Sequence, residues 1–174
     1  LNAFGALNIY ADQANAFEHN EKRFLLQLAN DITYGISMFR AQLKHDKAQE
    51  EMRKLSRAVE QADHMVLITN CTGIIEYVNP QFEKVTGYSK NEVLGLSPSV
   101  VKSERHGKRF YKKLWKSIIS GKSFQEVFIN RKKSGELFYE EKTITPLKAS
   151  TGEITHFVST GKDISERIND QKRI

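Results

Sequence analysis

Asn79-Pro80-Gln81-Phe82-Glu83-Lys84-Val85-Thr86-Gly87-Tyr88-Ser89-Lys90-Asn91-Glu92-Val93-Leu94-Gly95 changes structural period twice. The chain before it alternates as a strand, and Asn79-Pro80 stops that strand, because proline has no N–H for a ladder. Gln81 to Val85 reads as a short helix, and Gly87 fits a left-handed helix stop. Ser89 with Glu92 three residues on is a capping box for a second short helix, Lys90 to Leu94.

Upstream, Met65-Val66-Leu67-Ile68-Thr69 and Ile74-Ile75-Glu76-Tyr77-Val78 flank the turn Asn70-Cys71-Thr72-Gly73, which makes a β-hairpin. Downstream, residues 95–106 read as irregular, and 107–120 as a helix ending at Gly121. Three strands follow, 124–131, 136–147 and 153–163. Lys133-Ser134-Gly135 and Ser150-Thr151-Gly152 join them, with glycine where hairpin turns need positive φ. The expected fold class is α+β: a five-stranded antiparallel sheet with helices on one face, preceded by a long connecting helix.

That long helix is expected between Phe17 and Asp63, a segment without proline and with Gly35 as its single glycine. Apolar residues recur at Leu25, Leu28, Ile32, Ile36, Phe39 and Leu43. A second set at Ala48, Met52, Leu55, Val59 and Ala62 has the 4-3-4-3 spacing of a coiled-coil seam. The five-residue step across Lys44-His45-Asp46-Lys47 either rewinds a coiled coil locally or separates two helices. For 18–43, packing against the chain's own domain and pairing with another helix stay open. The heptad at 48–62 favours a homodimer. Before it, residues 3–11 read as a short strand with no partner strand nearby.

Composition narrows the class. The 174 residues carry 27 Lys+Arg against 21 Asp+Glu, a net charge of +6, with 39% hydrophobic residues. This fits one ordinary domain with attached helices. Cys71 is the only cysteine, so neither an internal disulfide nor a cysteine-based zinc site can form. No apolar run approaches the roughly 20 residues of a membrane helix. The start, Leu1-Asn2-Ala3, lacks the layout of a signal peptide. A cytoplasmic piece of a longer protein is the expectation.

The stretch from Asn79 to Tyr88, continuing to Glu92-Val93-Leu94-Gly95, resembles the central signature of PAS sensory domains. Arg131-Lys132-Lys133-Ser134-Gly135 followed by Phe138-Tyr139 resembles their hairpin, and Asp163-Ile164-Ser165 their terminal Asp-Ile-Thr. The resemblance covers roughly 64–165. Gly5-Ala6-Leu7-Asn8-Ile9-Tyr10-Ala11 with Phe24 to Ile36 resembles the closing strand and helix of a GAF domain. The implied organisation is a residual GAF end at 1–17, a connecting helix or coiled coil at 18–63, a PAS domain at 64–164 and the start of an output helix at 165–174. The implied function is sensory signal transduction. A small ligand or cofactor shifts the sheet and its flanking helices, and so an effector outside this chain, a histidine kinase or a GGDEF-type diguanylate cyclase. A ligand-free dimerisation and spacer module, its pocket filled by Phe82, Trp115, Phe124 and Phe128, is the alternative.

No enzyme motif is present: no phosphate-binding glycine loop, no His-Glu-x-x-His, no cysteine with a nearby histidine. Glu140 and Glu141 are neighbours on a strand, so one faces in and the other out. For a cofactor, the resemblance points to flavin, as FAD, ahead of haem. Asn130 matches the first of two asparagines that read the flavin edge in light-sensing relatives. The second position is Glu140, and their glutamine position is Gly161. Their reactive-cysteine motif is absent between Gly95 and Lys108. Trp115 and Phe124 would flank the ring. Against this, Tyr111, Leu114, Trp115 and Ile118 form one apolar helix stripe, which reads as core. His106 lies near the haem-ligand position of haem-binding relatives, but its polar surroundings read as a solvent-exposed loop. His45, His64 and His156 lack ligand spacing, and no metal site is expected.

Ser165 is the expected cap of the exit helix, and Asp163 the acceptor that holds the strand–helix joint, the signalling joint of the resembled family. Asn79 is expected to tether the following helix. Between Lys102 and Lys122, eight cations face Glu104 alone, giving +7 and leaving −1 for the rest of a chain whose total is +6. Arg109, Lys112, Lys113 and Lys116 fall on one helix side. With no aromatic platform beside them they read as a solvated face and not as a nucleic-acid site.

Overall fold

A computed structural model describes residues 5–6, 8–10, 12 and 18–172. The chain divides by its internal contacts at Lys54/Leu55 into two units. In the first unit the described residues belong almost wholly to α1 (His19–Glu60, 42 residues), which continues to the edge of the second. The Lys44–Lys47 step does not end the helix. Its residues are good helix formers, and Gln42 Nε2 donates to Asp46 Oδ1 at 2.9 Å across one turn. No residue of α1 is buried, and Leu28, Ile32, Phe39 and Leu43 are all exposed. The strand expected over 3–11 is absent at its described positions, Gly5, Ala6 and Asn8 to Tyr10; a lone strand has no ladder to stabilise it. Residues 3, 4, 7 and 11 lie outside the described residues, as do 13–17, most of the segment read as a GAF remnant.

The second unit is built on five strands: β1 (Met65–Asn70), β2 (Ile75–Val78), β3 (Phe124–Arg131), β4 (Leu137–Lys148) and β5 (Ile154–Asp163). They form one antiparallel sheet in the order β2-β1-β5-β4-β3. Between β2 and β3 lie α2 (Pro80–Thr86), α3 (Lys90–Val93), a 3-10 turn (Pro98–Val101) and α4 (Lys108–Ile119). The exit helix α5 spans Ser165–Lys172. The stretch read as irregular therefore contains a helical turn. Ser97 starts it, its side chain accepting from Ser99 N–H at 3.3 Å, with Pro98 at the first position; a Ser-Pro start is the signal that reading passed over.

Period-2 burial fixes the sheet's inward face: Met65, Leu67 and Thr69 on β1, Phe124, Phe128 and Asn130 on β3, Phe138, Glu140 and Lys142 on β4. Two apolar clusters result. One gathers Leu67, Ile75, Val78, Phe82, Val93, Val101 and Phe138; the other gathers Leu114, Ile118, Phe124, Phe128 and Phe157. Phe82 and Phe124 thus sit in separate clusters and do not fill a common pocket.

Asn79 joins three elements. Its side-chain oxygen accepts from Phe82 N–H at 3.1 Å, capping α2, and from Val66 N–H at 2.8 Å on β1. Its amide donates to Val59 O at 3.1 Å and His64 O at 2.9 Å, securing the end of α1 and the approach to β1. The residue is fully buried, so each of these groups would otherwise be left unpaired away from water. At the other end of α2, Gly87 takes φ 75°, as the sequence requires. Lys133 N–H donates to Thr86 O at 2.8 Å, and Lys133 pairs with Glu92. The hydrogen bonds from Lys133 and from Ser89 hold the Glu92 carboxyl down at about 2.

Asn79→Ala is expected to destabilise the second unit by about 2–4 kcal/mol in urea unfolding, since it orphans donors and acceptors at four backbone sites. A loss below about 0.5 kcal/mol would show that solvent replaces these bonds freely.

Candidate functional site

Between the sheet and α4 lies a cavity of about 270 Å³. Leu67, Leu114, Ile118, Phe128, Ile144 and Phe157 give it an apolar wall, while Thr69, Ser97, Ser99 and Ser159 contribute hydroxyls. Asn130, Lys102, Lys142 and the Tyr111 phenol add to its polar lining. This is the mixture of apolar enclosure and few directed polar groups that small-molecule sites use.

At the cavity floor, β3 and β4 pair so that Phe128 lies opposite Glu140 and Asn130 opposite Phe138. Glu140 Oε2 accepts from Asn130 Nδ2 at 2.6 Å and forms an ion pair with Lys142 Nζ at 3.0 Å. All three residues are buried. Of the neighbours expected to face opposite sides of the sheet, Glu140 is the buried one and Glu141 the exposed one. Glu140 does not line the cavity, however: its carboxylate lies against β5, where a Cβ added at Gly161 would fall 1.9 Å from Oε1. Only glycine leaves room there. Lys142 was not among the residues singled out from sequence, although period 2 places it two steps along the same inward face as Glu140.

Trp115 and Phe124 do not flank a common site. Trp115 lines the cavity, yet it is 40% exposed. Its ring meets Phe157 edge-on at 6.0 Å and reaches over Gly73 in the β1–β2 turn. It is a rim residue and not the core plug that the apolar stripe suggested; Leu114 and Ile118 take that role. Phe124 is buried in the second cluster, outside the lining.

His106 is not an exposed loop residue. It is half-buried, stacked on Phe110 with centroids 4.1 Å apart, and its Nε2 accepts from Ile129 N–H at 2.8 Å. Ser103 Oγ donates to Ile129 O, and Lys102 bridges to Asn130. The segment 102–106 thereby covers the free edge of β3, which would otherwise present unpaired backbone groups. A nitrogen committed to this bond is not free to bind iron.

The exit joint is built differently from a simple cap. Ser165 is the first residue of α5, and its Oγ accepts from Tyr139 N–H at 2.9 Å while donating to Asp163 Oδ1 at 2.5 Å. Asp163 Oδ1 also accepts from Ser165 N–H at 2.9 Å, so the aspartate takes up a helix-start donor. Ile164 N–H donates to Tyr139 O at 2.9 Å. Asp163 pairs across the sheet with Glu140, which places the joint one residue from the buried carboxylate. Arg109, Lys112 and Lys116 are exposed, and Lys113 pairs with Glu126 at 2.8 Å. Among the described residues no group of three or more His, Cys, Asp or Glu is placed to hold a metal ion, and no helix is long and apolar enough to cross a membrane.

A family model described as PAS domain matches residues 63–166. The nitrogen fixation regulatory protein of Klebsiella oxytoca is 28% identical over 116 residues, covering 67% of this chain and 23% of that protein. The blue-light-activated histidine kinase of Brucella anthropi is 29% identical over 119 residues, covering 67% of this chain and 24% of that protein. The chain thus spans about a quarter of the length of these relatives. Among solved structures, the PAS domain of a Colwellia psychrerythraea protein superposes with a TM-score of 0.62 at 16% identity, over 67% of this chain and 98% of that one.

The His106 geometry gives a pH dependence. Burial pushes the imidazole pKa below its ordinary 6.5, against a smaller upward pull from Glu126. The unfolded chain therefore binds the proton more readily, so the His106 contribution is fully present above about pH 6.5 and is lost as pH falls toward the folded-state value. In His106→Gln, whose amide oxygen accepts without titrating, the slope of unfolding free energy between pH 5 and 7 is expected to flatten. An unchanged slope would assign the titration to other groups.

Proposed function

Since the chain belongs to the PAS domain family, we propose that it is a sensory module that binds a small ligand in the cavity between sheet and α4. It relays occupancy through Asp163 and Ser165 to an effector beyond this chain. The observation that carries this reading is the short path of ion pair, strand backbone and hydrogen bonds from site to exit. Lys142 lines the cavity and binds Glu140, and the next residue, Tyr139, holds both Ser165 and Ile164. A ligand that moves β4 by a fraction of an ångström acts on the start of α5 directly. A shift of population between two joint geometries is the form such a signal takes. The fragment itself is read as non-enzymatic. The effector is a histidine kinase or a GGDEF-type diguanylate cyclase in a cytoplasmic, two-component-type protein. The similarity to a blue-light-activated histidine kinase favours the former. A GAF domain preceding α1 belongs to the same proposal.

Flavin, as FAD, is the cofactor class raised by the resemblance, with haem behind it. Of the residues the resemblance named, Asn130 and Trp115 line the cavity, Asn130 donating one of its two amide N–H groups to Glu140; Glu140 is turned onto β5, Gly161 supplies no side chain, and Phe124 lies outside the lining. His106 is occupied by Ile129. The ligand-free spacer reading remains the rival, and the cavity is what favours sensing over it. A homodimer through 48–62 completes the proposal: Ala48, Met52 and Leu55 are exposed, whereas Val59 and Ala62 are already half-buried. The seam is thus centred on the first three positions.

Two measurements test this. Native mass spectrometry of the freshly purified chain is expected to show a co-purified small molecule, and stripping it is expected to shift the amide resonances of Tyr139 and Ser165. A ligand-free cavity, with those resonances indifferent to every compound of a metabolite library, would leave the spacer. In sedimentation the chain is expected to dimerise, and Met52→Glu with Leu55→Glu to give monomers; a wild-type monomer at high concentration removes the seam.

A further inference from the structure

We infer that the cavity selects a small organic anion, a carboxylate carried on a compact aromatic or branched apolar body. This deepens the sensory proposal above and rests on it.

The charge of the lining is the first reason. Its only ionisable side chains besides the Tyr111 phenol are Lys102 and Lys142; no carboxylate lines it. Glu140 lies outside the lining, against Gly161 on β5, hydrogen-bonded to Asn130 and paired with Lys142. Lys142 is the second reason. It is 8% exposed, and an ammonium has three N–H donors, of which Glu140 engages one at 3.0 Å. The face of Phe128 lies 5.2 Å from Nζ, which eases the charge without accepting a conventional hydrogen bond. Burying an ammonium with donors unused is costly, so the cavity presents a donor in want of an acceptor. Lys102 Nζ sits 4.1 Å from the centroid of the Tyr111 ring, a second cation at the wall. A cationic ligand would meet Lys102 and the Glu140-paired Lys142 with no carboxylate among the described lining residues to receive it, whereas an anion supplies an acceptor for both ammoniums.

The cavity's size sets the body. An apolar cavity of about 150 Å³ holds benzene, so about 270 Å³ holds two fused rings and a carboxylate. Phe128, Phe157, Trp115 and Ile144 provide apolar surface for them.

The test uses the 174-residue chain and three isosteric probes: 2-naphthoate, uncharged 2-naphthamide and cationic 2-naphthylmethylammonium. Affinities come from calorimetry, and the amide resonances of Asn130 and Ser159 locate the probe. Naphthoate is expected to bind about tenfold or more tightly than naphthamide, the scale of one charge-assisted hydrogen bond, with the cation weakest. Lys102→Met, at an exposed position, is expected to weaken naphthoate several-fold and leave naphthamide unchanged. Lys142→Met with Glu140→Gln, which removes the pair together, is expected to abolish the preference for the anion. The probe series on the unmodified chain decides the matter even if that double variant does not fold. Equal binding of naphthoate and naphthamide at Asn130 and Ser159 overturns the anion class and leaves ligand sensing standing. Absence of all three from the cavity overturns the anion class, and ligand sensing then stands or falls on the co-purification and library measurements above.

Discussion

Burying an ammonium and a carboxylate together in the floor of a half-apolar domain constrains everything around them. Glu140 and Lys142 lie two residues apart on β4, so strand geometry alone puts both on the inward face. Desolvating the pair costs more than most surface interactions return, and the arrangement is tolerable only with full hydrogen bonding of the carboxylate. Asn130 supplies that bond from β3, which fixes the register of β3 against β4. Gly161 supplies the space on β5, which fixes the closeness of β4 to β5. Three strands are thus locked by one carboxylate, and the cavity above them inherits its polar end from the same lock.

The consequences run outward in both directions. Toward the ligand, Glu140 leaves two of the Lys142 donors unused, so the pair is partly neutralised and still able to recognise a ligand. Toward the exit, Glu140 is paired across the sheet with Asp163 and precedes Glu141 after Tyr139. Tyr139 gives both its backbone groups to the start of α5, the N–H to Ser165 Oγ and the carbonyl to Ile164 N–H. A strand whose side chains face the cavity and whose backbone holds the exit helix has little freedom to respond at one end alone. At the opposite margin of the sheet, Asn79 performs a comparable service for the entering helix. The end of the entry helix is thus held by the Asn79 side chain, and the start of the exit helix by the Tyr139 backbone together with Asp163.

Much of this could be read from the sequence. The strand alternations, the Gly87 stop, the Glu92 cap and the Asn79 tether all rest on local chemistry: period, positive φ, a short amide beside a proline. What could not be read depends on contacts between distant segments. The burial of His106 follows from a backbone N–H at the free edge of β3, twenty-three residues away; its own polar neighbours give no hint of that. Trp115 shares a helix stripe with Leu114 and Ile118, but the β1–β2 turn, which sequence cannot place against α4, leaves it at the rim. Ser165 fits a cap by type and position, yet Tyr139 claims its hydroxyl. Lys142 is the instructive omission. Its inward position followed from the same alternation that identified Glu140, but a lysine on a strand is habitually assigned to solvent.

Glu140 and Gly161, which depart from the light-sensing relatives, and the inward Lys142 form one feature and not three. Glu140 in place of an asparagine, Gly161 in place of a glutamine and the inward Lys142 each look like a loss when taken alone. Together they are compensating: a carboxylate needs a counter-ion on its own face, and its bulk needs a glycine opposite. A glutamine at 161 would collide with Glu140, and an asparagine at 140 would leave the Lys142 ammonium without a counter-charge. The polar floor is thus one coupled set, the Glu140–Lys142 ion pair and the Asn130 amide that bonds its carboxylate. Changing any one member leaves another without its partner, so the floor's electrostatic character is a property of the set and not of any single position.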